Sequence, residues 1–64
     1  MKAQVFKVRG GFDIITSDGR LYNHSTRTKY IGKVNDQFKP SGKVLTKIPN
    51  HLKEIFFNLQ KQEQ

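Results

Sequence analysis

The sequence predicts a mainly β protein with one C-terminal helix: a small five-stranded SH3-like barrel, or a bent antiparallel sheet, capped by an α-helix. Three observations predict it. Short β-forming runs separated by glycine-rich turns fill residues 3–48. From residue 51 the apolar period changes to that of a helix. The whole chain is 64 residues, 34% of them apolar, which suffices for one small core and not for two. A single domain over 1–64 is therefore expected, and at this length an SH3-like barrel is favoured over an OB-like one.

The first strand is read at about 3–9 (AQVFKVR), followed at once by Gly10-Gly11, a dipeptide suited to the positive φ angles of a tight hairpin turn. The return strand is 12–17 (FDIITS). Asp18-Gly19 is a second two-residue turn signal, leading into a third strand at 20–24. Residues 25–27 connect it to a fourth strand at 28–34 (TKYIGKV), in which Gly32 marks a bulge or a close approach. Residues 35–42 are turn-rich and read as a loop, and KVLTKI at 43–48 is the fifth strand. After Pro49, Leu52, Ile55, Phe56 and Leu59 recur at i, i+3, i+4 and i+7, the stripe of an amphipathic helix over about 51–61. Asn50 is its expected N-cap, Lys61 suits its C-terminal dipole, and Phe57 falls off the stripe.

Composition narrows function. The absence of cysteine excludes disulfide frameworks, zinc ribbons and thiol catalysis. No apolar run approaches the roughly 20 residues of a membrane span, and no signal-peptide core is visible, so an intracellular protein of cytoplasm or nucleoid is expected. Twelve Lys/Arg stand against five Asp/Glu, a net +7. All of that excess lies in residues 1–49, because Lys53 and Lys61 balance Glu54 and Glu63 in the tail. A concentrated positive charge points to a polyanion, most often nucleic acid.

The richest expected site lies on strands four and five. Paired as a hairpin across 35–42, they would set Lys29, Ile31 and Lys33 beside Lys43, Leu45 and Lys47 on one surface, four ammonium groups around two apolar side chains. Such a surface neutralises phosphates while the apolar side chains pack on sugars. Tyr30, Val34, Val44 and Ile48 would then face the core. Lys7 and Arg9 extend the basic surface near the first turn, and Arg20 and Arg27 offer guanidinium forks to phosphate. Phe6 or Tyr22, if exposed, would stack on the bases of a single strand.

A basic opening hairpin (VFKVRGG), the Gly42-Lys43 turn and Pro49 leading into a helix are together similar to the small chromatin proteins of thermophilic archaea. In those, a hairpin, a three-stranded sheet and a C-terminal helix form a DNA-binding domain. The resemblance implies architecture only. This chain has no tryptophan and no dense lysine runs, and no residue role is carried over.

His24 and His51 have no carboxylate or cysteine at ligand spacing, so neither a metal site nor a cofactor is expected. With a two-residue Asp18-Gly19 turn, His24 stands opposite Asp13 as an ordinary cross-strand pair. No paired carboxylates, nucleophile elbow or phosphate loop appears, and catalysis is not expected. The sequence thus reads as a small basic nucleic-acid-binding protein that holds backbone phosphates with low specificity. DNA is favoured over RNA, in double-stranded form, with the protein a monomer or weak dimer. The alternative is a protein-interaction module, or a small regulator or inhibitor, that binds a larger acidic protein by strand addition.

Overall fold

The computed structural model describes residues 2–62. Its elements are β1 (Gln4–Val8), β2 (Gly11–Ile15), β3 (Arg20–His24), β4 (Thr28–Lys33), β5 (Lys43–Val44) and α1 (Asn50–Lys61). The strands form one antiparallel sheet in the order β4-β3-β2-β1-β5. β4 and β5 are its opposite edges, so the sheet is open and not closed into a barrel. One continuous sheet also differs from the separate hairpin and three-stranded sheet that the chromatin-protein resemblance implies.

Two turns set the register, and each departs from expectation. The first is Arg9-Gly10 and not Gly10-Gly11, because Val8 pairs with Gly11. Gly11 is a strand residue whose lack of a side chain is needed: a Cβ there would run into the carbonyl oxygen of His24. This change moves the pairing by two residues, so Val5 and Ile14 still share a face. The second turn has three loop residues, 17–19. Thr16 N–H donates to Arg20 O at 3.0 Å, Gly19 N–H donates to Thr16 O at 3.0 Å, and Gly19 adopts φ 88°. That is a turn closed by a glycine in the left-handed region. One extra loop residue shifts β3 by one position and turns every side chain over. His24 therefore stands opposite Phe12, and Asp13 opposite Asn23.

Directly paired residues share a face, so one face carries Val5, Ile14 and Tyr22 in a row. Leu45 joins it beside Val5, held by its N–H to Val5 O at 2.8 Å. The helix covers this face. Leu52 and Leu59 are buried with Val5, Ile14 and Tyr22, and Phe12, Leu45, Ile48, Ile55 and Phe56 pack around them. A helix of 12 residues is marginal alone in water, so this docking is what holds it. Pro49, not Asn50, occupies the N-cap position, with no side-chain cap. Its φ of −56° and ψ of 147° are extended backbone that ends the helix, while Leu52 and Lys53 donate to its carbonyl.

The last helical turn is tied to the β2–β3 turn. Ser17 N–H donates to Gln60 Oε1 at 3.3 Å, and Arg20 Nη2 donates to Leu59 O at 3.0 Å. On the other face Ile15 and Leu21 are also buried. The segment 34–42 joins opposite edges of the sheet. Its start is pinned by Val34 N–H to Gly19 O at 2.8 Å. Nine residues reach about 30 Å, enough for the roughly 19 Å across four strand spacings. Among the described residues no helix is long and apolar enough to cross a membrane.

Candidate nucleic-acid interface

Strand pairing decides which cations meet. β4 and β5 do not pair, so the expected four-lysine surface across them does not form. The long connection imposes no hairpin. β5 instead takes the free edge of β1, where Leu45 reaches the core and is no longer available to pack on a sugar. β5 is short, Lys43–Val44, and Lys47 lies beyond it, exposed, in the connection to the helix.

The new pairing builds a different basic site. Lys43 stands directly opposite Lys7, in a row completed by Phe12, His24 and Thr28. That row contains no acid. Arg9, in the β1–β2 turn, and Arg27, in the β3–β4 connection, lie at the same end of the sheet. The helix N-terminus approaches this end as well, since the His51 ring meets Phe12 edge-on at 6.0 Å. Its first turn holds no acidic residue, so the positive end of its dipole adds to the same field. Lys7 Nζ lies 5.1 Å from the centre of the Phe12 ring and donates to Val8 O at 3.3 Å. Phe12 thus orients one ammonium group without neutralising it.

Asp13 and Asp18 are placed elsewhere. Asp13 accepts from Asn23 Nδ2 at 3.0 Å on the opposite face. His24 does not meet it; its Nδ1 lies 2.9 Å from Thr28 Oγ1. Asp18 pairs with Arg20 at the far end of the sheet, Nε to carboxylate oxygens at 2.9 and 3.0 Å. The Thr16 hydroxyl also donates to Asp18, and these bonds, that from Thr16 foremost, hold its carboxyl below the usual range. Arg20 is raised in turn by Asp18, and its remaining donors go to Tyr22 Oη at 2.9 Å and to the helix end. Its fork is thus spent inside the fold.

β4 carries a second group. Lys29, Tyr30, Ile31 and Lys33 are all exposed along this edge. The pairing is irregular here: Tyr22 faces Tyr30 while Leu21 faces Gly32, leaving Ile31 as the extra residue. The bulge anticipated from Gly32 thus separates Lys29 from Lys33, which pairs with Arg20 on the helix-side face. Tyr30 is not core. It is 54% exposed and rests edge-on against Tyr22, ring centres 5.3 Å apart. Tyr22 is buried and Phe6 half-buried, so the exposed aromatic side chain of the sheet is one that sequence reasoning assigned to the interior. Val44, assigned there too, is 44% exposed. The missed signal was the unpaired edge, which no local pattern reveals.

No protein-family model, curated protein or solved structure matches the chain. Its function is therefore argued from these residues.

Proposed function

We propose that this protein is a small nucleic-acid-binding module that holds backbone phosphates at the basic end of its sheet. Lys7, Lys43, Arg9 and Arg27 make the contacts. The observation that carries the reading is the direct opposition of Lys7 and Lys43. Like charges facing each other across a strand pair destabilise a sheet, and no acid in their row relieves them. A phosphate between the two ammonium groups relieves that repulsion and releases counterions. Lysine heads and turn arginines reach phosphates without reading base edges, so low sequence specificity is expected. The helix, with Lys53 and Lys61 against Glu54, offers no concentrated basic recognition surface.

The test is an anisotropy titration of labelled oligonucleotides over a series of salt concentrations. Binding should weaken linearly in log salt, by about 0.9 per phosphate contact on a duplex and about 0.7 on a single strand. Lys43→Glu should abolish it at physiological salt. Lys61→Glu, an equal charge change in the last helical turn, should weaken it only slightly. Equal losses in the two variants would mean that net charge acts and the Lys7–Lys43 end does not.

A further inference from the structure

We infer that the outer edge of β4 is a platform for a single-stranded stretch of nucleic acid, with a base stacked on Tyr30 and the neighbouring phosphates held by Arg27 and Lys33. This rests on the nucleic-acid reading above and names the form of polymer. Tyr30 offers an open ring: Tyr22 supports one side edge-on, and more than half of the residue faces solvent. Every base has a π-face, so such a ring accepts bases without regard to sequence, provided they are not already stacked in a duplex.

Charge complementarity fixes the occupant. Lys33 shares the helix-side face with Tyr30, Lys29 lies on the other face opposite Asn23, and Arg27 precedes the strand at the basic end. A strand leaving Lys7 and Lys43 thus passes Arg27 before the aromatic and meets Lys33 after it along β4. Ile31, 58% exposed at the bulge, adds apolar surface for a sugar. An extended peptide fits the same edge less well. The extra residue breaks the regular spacing of backbone donors and acceptors that strand addition uses, and edge lysines oppose such pairing. A rigid duplex keeps its base faces stacked on one another and leaves the ring unused.

The experiment compares single-stranded and duplex DNA of equal length, and a single-stranded RNA, by anisotropy with the full chain. Folding of each variant is checked by circular dichroism. Single strands should bind more tightly than duplex. Tyr30→Ala should weaken single-strand binding about 5- to 150-fold, the loss of one stacked base, and leave duplex binding unchanged. Tyr30→Phe keeps the ring and should keep the affinity, which separates stacking from a folding defect. The chain has two tyrosines and no tryptophan, so emission gives a second readout. Single strands should quench the wild type and not Tyr30→Phe, in which only Tyr22 emits.

Suppose Tyr30→Ala changes nothing while Lys43→Glu abolishes binding. The platform is then wrong and the basic-end reading stands. Suppose no polymer binds at all; both readings then fail together. If an extended acidic peptide quenches Tyr30 and oligonucleotides do not, the edge is a strand-addition site and the inference is overturned.

Discussion

Replacing Lys43 by Glu should make this protein more stable and less able to bind, and the two effects come from one contact. Lys43 faces Lys7 directly across the β1–β5 pair. Opposite residues in such a pair have Cβ atoms about 4.5–5.5 Å apart, and a like-charged pair costs roughly what an opposite-charged pair gains, 0.2–1 kcal/mol each. Lys43→Glu exchanges one for the other, a swing of about 0.4–2 kcal/mol. The site is exposed and β5 spans only Lys43–Val44, so the lower half of that range applies. A gain of about 0.5–1 kcal/mol raises Tm by about 2–8 °C in a domain of this size. The assay is thermal unfolding followed by circular dichroism at low salt and at about 1 M salt, where the screening length falls to about 3 Å. The gain should appear at low salt, halve in Lys43→Gln and vanish at high salt. A Lys43→Glu protein no more stable than wild type at low salt would refute the reasoning. So would a gain that survives about 1 M salt, because packing rather than charge would then be its source.

Other perturbations test the remaining parts. Leu52 is fully buried between helix and sheet, so Leu52→Ala should cost about 2–5 kcal/mol in urea unfolding, much of the roughly 3–10 kcal/mol available to a chain this size. Phe57 is 58% exposed and touches Lys61, whose Nζ lies 4.6 Å from the ring centre. Phe57→Ala should therefore cost no more than about 1 kcal/mol. Asp18 is held below its ordinary pKa by Thr16 and then Arg20, so its contribution to stability is full above the unfolded carboxylate pKa and is lost as pH falls through the lower folded value. Urea midpoints at about pH 6 and about pH 3 should differ less in Asp18→Asn than in wild type, and an equal difference would remove Asp18 from the acid response.

Much of the architecture was legible locally. The third strand was read at the residues it occupies, because Gly19 and the turn at 25–27 bound it on both sides. The helix stripe of Leu52, Ile55, Phe56 and Leu59 faces the sheet as its spacing requires, since side chains at i and i+4 cannot avoid sharing a face. Asn50 was misread as the cap because an extended Pro49 ends the helix one residue earlier. Asp18-Gly19 was correctly seen as a turn, but composition does not count loop residues. The miscount of one reversed the faces of β3 and separated His24 from Asp13. The site was legible as a set of cations and not as an arrangement.

By itself, then, the sequence determined the β meander, the docked helix and the surplus of positive charge in residues 1–49. Each is a local property: turn chemistry, apolar period and composition act between near neighbours in the chain. Only the tertiary structure decided that β5 joins β1 and not β4, a pairing across more than thirty residues of chain. It brought Lys43 against Lys7, packed Leu45 partly buried against the core, spent Arg20 on Asp18 and the helix end, and left Tyr30 exposed on the same face as Lys33. Edge strands are chosen by which free edge lets an apolar residue reach the core. That choice depends on the whole sheet at once.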